Sequence, residues 1–357
     1  MIENKIISLF GNIGINVRYV TNEDKTDWQN ILSGISYQPV AFSIYINEYY
    51  LEYFSQKKIL ERDFSMILYF EGSPIGIWPI SVHKSDLGAH TIVSGSESVL
   101  PPMLITSHTA KLTKKIFRTC FEACSLIATH FQVKSWETGS GFVDSSTLTT
   151  WDRLSISNSI ATDQKYFWFQ NLLQNENEIL GSFRKSYRSL VNAGHKYWNI
   201  VILDSTNYSA DAFEEFSELH VQVSGRQTRS KETWNKQFEA IINNEALLIV
   251  AYDKNQVMKG GALFHFTRDE SLYAVGVYSR EELAVPVSHV IQATGILEFK
   301  RRGLLWHNLG VAQISRLSSE SDIKEGSISN FKEGFASDLV SKISFRIDAS
   351  VPTESKK

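Results

Sequence analysis

Lys332 is the residue from which chemistry is most directly argued. It stands in GSISNFKEGF (326–335), where Ile328, Phe331 and Phe335 recur at i, i+3 and i+7. That spacing predicts one buried helix face, with Lys332 at its edge. A lysine so placed can stabilise negative charge developing on a reacting carbonyl or a phosphate leaving group. It can equally be a solvated lysine that packs its stem on apolar surface. Two basic clusters come next. FRKSYRS brings Arg184, Lys185 and Arg188 onto one helix face, and SGRQTRSK places Arg226, Arg229 and Lys231 between two helices, just after Gly225. Such groups can bind a polyanion such as a sugar nucleotide, coenzyme A or a tRNA end. Each cluster also fits an ordinary solvated face.

The nine histidines show no HxH, HExxH or other metal spacing. His265, in a β run, and His307, before Asn308-Leu309-Gly310, can each face a pocket or be a satisfied structural histidine. Cys120 and Cys124 lie four apart on the apolar face of KLTKKIFRTCFEACSLIATHF, with Ile116, Phe117 and Ile127. They read as two buried thiols, since no second ligand pair is near. There is no G-x-S-x-G elbow, Walker loop or dinucleotide fingerprint.

The elements that must position these groups follow from the pattern. The stretch Pro286–Phe335 reads as helix (PVSHVIQATGILEFKRRG), strand (LLWHNLG), polar connection and helix. Proline at a helix start leaves unpaired backbone N–H groups that can hold a phosphate or carboxylate. The connection before it, SREELAVP, has no glycine and two acidic residues, which does not suit a tight pyrophosphate cradle. Upstream, EALLIVAYDKN, QVMKGGALFHFT and RDESLYAVGVYS predict a three-strand antiparallel meander, and the helix after it predicts a crossover returning a strand parallel to an earlier one. DAFEEFSELHVQVSG and SKETWNKQFEAIINN predict amphipathic helices, with Phe213, Phe216, Leu219, His220 and Val223 marking one face of the first. Leu180, Phe183, Tyr187, Leu190 and Val191 predict another helix, with Gly194 as its stop.

In the N-terminal half, 17–35 predicts a strand and a helix, 41–58 a helix, and FSMILYFEGSPIGIWPISVHKS a hairpin about Gly72-Ser73-Pro74. AHTIVSG, the helix 109–131 and the strand VKSWETG (133–139) follow, with LTTWDRLSIS continuing irregularly. DLVSKISFRID predicts a final strand. The two halves share a coarse order of elements. Runs of strands broken by crossover helices imply mixed sheets with helices packed on them. The boundaries expected are a first domain 1–163, a linker 164–178 and a second domain 179–357.

Composition agrees with a globular chain: 357 residues, 43% apolar and 21% charged, with 21 Phe, 14 Tyr and 8 Trp to fill two cores. A net charge of −3 gives no global drive toward DNA or an anionic membrane. MIENKIISLFGNIGINV does not read as a signal peptide, and no apolar run is long enough to span a bilayer, so a cytoplasmic location is expected.

In this order, the motifs DAFEEFSELH, GGALFHF…SLYAVGVYS, VPVSHVIQATGILEFKRRGLLWHNLG and ISNFKEGFAS resemble the Fem-type (FemAB-related) branch of the acyltransferases with the GNAT fold. FRKSYRSLVNAGHK is similar to the basic helix opening that family's second domain. The resemblance covers roughly 180–345 and is architectural over 17–150. It implies an α/β (α+β) fold of tandem GNAT-like domains, each a mixed, mostly antiparallel sheet with flanking helices. It also implies transfer of an acyl or aminoacyl group to an amine, with acyl-CoA or aminoacyl-tRNA as co-substrate and no tightly bound cofactor.

The acceptor expected is an amino group of a sugar nucleotide or cell-envelope precursor. The aminoacyl reading takes its donor from tRNA and a peptidoglycan-type acceptor, and a non-catalytic binding module is the reading of another class. Phe331 and Lys332 match the family's Phe-Lys pair. Gly276-Val277-Tyr278 corresponds to the strand whose backbone N–H polarises the donor carbonyl, with Tyr278 as the acid toward the leaving group. Arg226 and Arg229 would grip phosphates, and Arg188 and His307 complete the expected binding set. The chain departs from the coenzyme-A pattern in lacking the glycine loop, which Fem-type relatives also lack. No charged helical arm of the kind found in many tRNA-using members appears around 225–240.

Overall fold

The computed structural model describes residues 1–105, 109–139, 148–281, 285–313 and 320–349. The chain divides into two compact units. One is Met1–Lys165 joined by the chain from Lys342 onward; the other is Tyr166–Ser341.

The first unit opens with α1 (Ile2–Gly11), β1 (Ile15–Tyr19), α2 (Lys25–Ser33) and α3 (Ile44–Gln56). Strands β2 (Leu60–Asp63), β3 (Met66–Phe70), β4 (Ser73–Trp78), β5 (Ser81–Lys84), β6 (His90–Val93) and β7 (Met103–Leu104) follow, then α4 (Ala110–His130), β8 (Ser135–Gly139) and α5 (Thr150–Asn158). β1, β3, β4 and β7 form one antiparallel sheet in that order, and β2, β5 and β6 another. The hairpin turns at Gly72, whose φ of +81° glycine adopts without strain. Ile2, Ile6 and Phe10 of α1 and Ile116, Cys120, Cys124 and Ile127 of α4 lie in one core with Trp78, Trp136 and Trp151. Burial pushes both thiols well above the usual cysteine range, so they stay protonated and inert. α5 replaces the irregular segment expected there. Thr149 and Asp152 make a reciprocal capping box, Thr149 Oγ1 accepting from the Asp152 N–H at 3.1 Å and the Asp152 carboxylate accepting from the Thr149 N–H at 2.8 Å.

The segment expected as a linker is ordered structure. β9 (Ser159–Asn171) occupies its first half and α6 (Glu176–Ser182), capped by Asn175 and Glu178, begins in its second. The predicted helix over 180–191 breaks at Arg184, which caps α7 (Lys185–Tyr197). Gly194 does not stop α7. It is buried inside the helix, where an added β-carbon would meet the Val290 side chain at 2.6 Å, so it sets the close approach of two helices.

β10 (Asn199–Leu203), α8 (Ala210–Ser224), α9 (Lys231–Ile242), β11 (Ala246–Tyr252), β12 (Met258–Phe266), β13 (Glu270–Tyr278), α10 (Val287–Arg301), β14 (Trp306–Ala312) and α11 (Glu320–Glu333) complete the second unit. The last strand, β15 (Asp338–Asp348), pairs antiparallel with β8 through Ser344–Asp348. In the second unit the sheet runs β10-β11-β12-β13-β14-β9. The meander is antiparallel, and the α10 crossover returns β14 parallel to β13, as the sequence implies. Alternation along β12 sorts the layers. Gly260 and Phe264 face α10, where added β-carbons at Gly260 and Gly295 would meet Val287 and the Phe264 ring. Gly261 faces Phe216 of α8. Phe264, Phe299 and Phe335 are fully buried in this core, each contributing about 1.5–3 kcal/mol by burial. This is the mixed α/β architecture expected, with a mostly antiparallel sheet and helices on both its faces.

Candidate functional site

The parallel pairing of β13 and β14 is short. It covers Glu270–Leu272 against Trp306–Asn308 and then stops, although β13 continues to Tyr278 and β14 to Ala312. The two strands therefore diverge at mid-sheet. Two irregularities accompany the divergence. β13 carries an extra residue, Ala274, opposite Leu263 and Phe264, and β14 shifts register against β9 between Asn308 and Gly310. At that second bulge the Asn308 side chain accepts from the Gly310 N–H at 2.8 Å, and Gly310 has φ +100°.

The divergence leaves backbone donors uncovered. The Ser279 N–H donates to the Lys259 carbonyl at 2.8 Å, so this residue pair is hydrogen-bonded across β12 and β13. With the two-residue alternation of an antiparallel ladder, the Val277 N–H also turns to β12. The N–H groups of Gly276 and Tyr278 then turn to the other edge, where β14 has left. The donors expected around Val277 are thus on its two neighbours, while Val277 itself is buried and committed to the sheet.

Tyr278 stands beside these donors on the α10 face. Its hydroxyl lies 3.2 Å from that of Tyr273. Burial raises the Tyr278 phenol well above its usual value, and the Tyr273 hydroxyl adds to the shift, so Tyr278 is held protonated. Gly276 admits the pair: an added β-carbon there would sit 1.9 Å from the Tyr273 hydroxyl. The Tyr278 ring and Val287, the first residue of α10, both approach Gly260, at 2.9 and 3.0 Å from where its β-carbon would be. The Tyr278 ring thus meets the first turn of α10, behind Pro286 at the cap.

Lys332 reaches the divergence from α11. Its Nζ is 2.6 Å from the position a β-carbon on Gly310 would take. Burial lowers its pKa below the ordinary lysine value, with no carboxylate among the described residues opposing the shift. The helix is oriented otherwise than its spacing suggests. Ile328 is 44% exposed. Ser329 is buried, accepts from Trp168 Nε1 at 3.1 Å and from the Gln313 N–H at 2.8 Å, and turns the 329/332 line onto β14 and β9. Periodicity alone favours Ile328, but two hydrogen bonds to one serine outweigh its apolar area. Phe331 and Phe335 face α7 and α10. The His289 ring packs edge-on against Tyr187 at 4.4 Å and Phe331 at 5.2 Å. Burial lowers His289 to about 4. The first turn of α10 therefore meets Tyr278 on one side and Phe331, the neighbour of Lys332, on the other.

His307 does not belong to a binding surface. It is fully buried, with Ser271 Oγ at 2.8 Å from Nδ1 and the Gln292 amide nitrogen at 2.9 Å from Nε2. Burial lowers it to about 3, and it serves as a neutral core histidine that ties β13, β14 and α10 together. This corrects the expectation of a substrate contact: one ring face stacks on Phe299 at 5.5 Å, and both nitrogens are engaged. The residue was recognisable, because it precedes a bulge; its direction was not.

Arg226 and Arg229 lie away from this corner, on the α8–α9 turn. Arg226 is exposed on the α8–α9 turn, after Gly225 ends α8 in the left-handed conformation. Arg229 stacks on Trp234 at 5.1 Å and lies 3.4 Å from His220 Nε2. α8 and α9 cover the face opposite α10. Arg188 is exposed on α7, one residue beyond Tyr187. Arg184 pairs with Glu333 of α11 at 3.0 Å. Sequence reasoning missed His289, Gly310 and Tyr273. Gly310, beside the β14 bulge, was visible as a lone glycine in a strand run, which marks close backbone approach. Residues 282–284 of the glycine-free connection lie outside the described residues. No helix among the described residues is long and apolar enough to cross a membrane, and no metal-binding cluster occurs among them.

No protein-family model matches the chain, and no curated protein matches it in sequence. Solved structures do match in fold. FemX superposes with TM-score 0.62 at 13% identity, covering 92% of this chain and 96% of that one. A conserved protein of unknown function from Bacteroides thetaiotaomicron gives 0.56 at 9% identity, covering 94% and 100%. L-PGS from Bacillus licheniformis gives 0.51 at 11% identity, covering 77% and 85%. The chain shares its fold with these proteins over most of its length.

Proposed function

We propose that the protein is an acyltransferase that moves an acyl group onto an amine, and that the amine belongs to a sugar nucleotide or a related cell-envelope precursor. One observation carries the reading: β13 and β14 part beside the Gly276 and Tyr278 N–H groups, and half-buried Lys332, with no carboxylate beside it among the described residues, lies over Gly310 on the parting strand β14. A preformed set of donors of this kind is suited to an oxyanion. The likeness in fold to FemX supports the class of reaction.

In the reaction a neutral acceptor amine attacks the donor carbonyl carbon and forms the C–N bond. The carbonyl electron pair moves to oxygen, where the two N–H groups and the Lys332 ammonium stabilise it. Collapse breaks the bond to the leaving group, a thiolate for a thioester or a ribose oxygen for an aminoacyl ester. Tyr278 supplies a proton to that group, and its raised pKa keeps a proton available at neutral pH. The acceptor nitrogen loses its extra proton to solvent. The first turn of α10 is placed to hold an anionic portion of either substrate. Acyl-CoA is the preferred donor, since the charged helical arm of tRNA-using relatives is not evident around 225–240. The glycine-free connection before α10 favours an aminoacyl-tRNA ester as the second reading.

The test is direct transfer by the purified protein. Acetyl-CoA or aminoacyl-tRNA is supplied with amino-sugar nucleotides, with and without ribonuclease. Ribonuclease-resistant acylation, lost in Lys332→Ala, is the expected result. Ribonuclease-sensitive transfer would select the second donor. Absence of transfer and of binding for both donors would overturn the proposal in favour of a non-catalytic module.

A further inference from the structure

The first unit contains a cavity of about 330 Å³ between α2, α3 and the β1–β3 edge. That volume lies within the range of small-ligand sites. Trp28, Ile44 and Leu51 form an apolar wall, and Glu48, Asp63 and Ser65 form a polar one. The wall is rigid where it matters. Trp28 Nε1 donates to the Phe42 carbonyl at 2.7 Å, fixing the indole. Ser65 donates twice to Asp63, from its N–H at 2.9 Å and its hydroxyl at 2.7 Å, and both bonds go to Oδ1.

The charges on the polar wall differ in how they are met. Glu48 is held by Lys25 Nζ, at 2.7 Å from Oε1 and 2.8 Å from Oε2. Asp63 has no such partner among the described residues. Its neighbour Arg62 makes its ion pair with Glu3, at 2.6 Å, and acts on Asp63 only through its charge. Both Ser65 bonds go to Oδ1, and Oδ2 takes no side-chain hydrogen bond from the described residues, so it is the oxygen open to an occupant of the cavity. A carboxylate partly withdrawn from water is stabilised by a cation that meets it, and burial raises the Asp63 pKa in the same sense, against the Ser65 hydrogen bonds.

We propose that this cavity is a binding site for a small molecule bearing a protonated primary amine on a short apolar chain. The ammonium pairs with Asp63 Oδ2, and the chain lies against Trp28, Ile44 and Leu51. An anion would meet two carboxylates, and a neutral alcohol would leave Asp63 without a countercharge. The inference rests on the first unit alone and is independent of the transfer reaction proposed for the second.

The probe is n-butylamine, compared with n-butanol and butyrate, in titrations of the intact chain followed by thermal shift and calorimetry. n-Butylamine is expected to raise the melting temperature, and the other two are not. Asp63→Asn should weaken n-butylamine binding by at least about tenfold. Because Asp63 also orders Ser65, Leu51→Phe, which fills the cavity from its apolar side, gives a second route and should weaken binding likewise. Lys332→Ala should bind n-butylamine as the parent does. The proposal is overturned if n-butanol matches n-butylamine, if Asp63→Asn and Leu51→Phe both bind unchanged, or if no amine from ethylamine to hexylamine shifts the melting temperature.

Discussion

The ammonium of Lys332 occupies the space that a β-carbon on Gly310 would fill, 2.6 Å from that point. The pair joins α11 to β14 at the place where β14 has shifted register and parted from β13. Only glycine satisfies both demands there: it leaves room for the lysine, and it adopts the φ of +100° that the bulge imposes.

Gly310→Ala should therefore damage stability and site together. The backbone term alone is about 1–3 kcal/mol, and the methyl group would also push the ammonium out of the opening. A fall in the denaturation midpoint, with loss of transfer in the fraction that remains folded, is the expected outcome. An alanine variant with full activity would show that the lysine is not held there for catalysis.

Lys332→Ala separates a catalytic from a structural role. Removing one electrostatic donor from an oxyanion site lowers kcat by about 10²–10³. The same change takes a poorly solvated charge out of the fold, so the melting temperature should hold or rise. Lys332→Arg should fail to restore the rate, because the planar fork does not fit over Gly310. Steady-state kinetics and thermal melts on the same preparations check all three statements.

The depressed Lys332 pKa fixes the sign of the alkaline limb. If the ammonium is the active form, activity is present below the folded pKa of Lys332 and is lost as pH rises through it. Burial lowers that pKa, so the limb should fall below the pH of an ordinary lysine. A kcat profile still flat where an ordinary lysine titrates would remove Lys332 as the charged group.

Gly276→Ala should be disruptive, since the new β-carbon would fall 1.9 Å from the Tyr273 hydroxyl. Tyr273 must move, and the Tyr273–Tyr278 contact with it, at about 1–3 kcal/mol for overpacking. Tyr273→Phe combined with Gly276→Ala should recover part of that stability in a double-mutant cycle. Tyr278→Phe should keep the fold and lower kcat more than it changes KM, most visibly with poor leaving groups.

Acid stability should depend on His307. Its folded pKa is lowered to about 3 from 6.5. The unfolded chain therefore takes up a proton, as pH falls from about 6.5 toward 3, that the folded chain refuses, and stability is lost across that window. His83 and His289, both lowered to about 4, act in the same direction. The melting temperature should drop below about pH 6.5, and His307→Gln should flatten the slope even if its starting stability is lower.

Much of the fold was legible in the sequence because local signals agreed with it. The meander, its crossover helix and the final strand at Asp338–Asp348 follow from runs of β-rich residues broken by Asp-Lys-Asn and Arg-Asp-Glu, and the buried cysteines follow from four-residue spacing. Local signals failed where a tertiary partner outweighed them. Gly194 reads as a helix stop, yet Val290 needs it inside α7. Ile328 reads as core, yet Ser329 bonds to Trp168 and turns the helix. The linker expected over 164–178 became part of β9 and α6, because Phe167 and Phe169 bury against the sheet rather than spanning solvent.

The sequence by itself determined the identities and order of the candidate groups: Phe331-Lys332 after a crossover, Tyr278 at the end of a third strand, and a proline-capped helix between them. Only the tertiary structure decided which of these meet. It parts β13 from β14, gives the free N–H groups to Gly276 and Tyr278 and not to Val277, lays Lys332 on Gly310, and retires His307 to the core. Arg226 and Arg229 it leaves with α8 and α9, across the sheet from α10. The reason is physical: spacing along a chain specifies which side of one element a residue takes, whereas a strand divergence and the direction of a side chain depend on pairings between elements far apart in sequence.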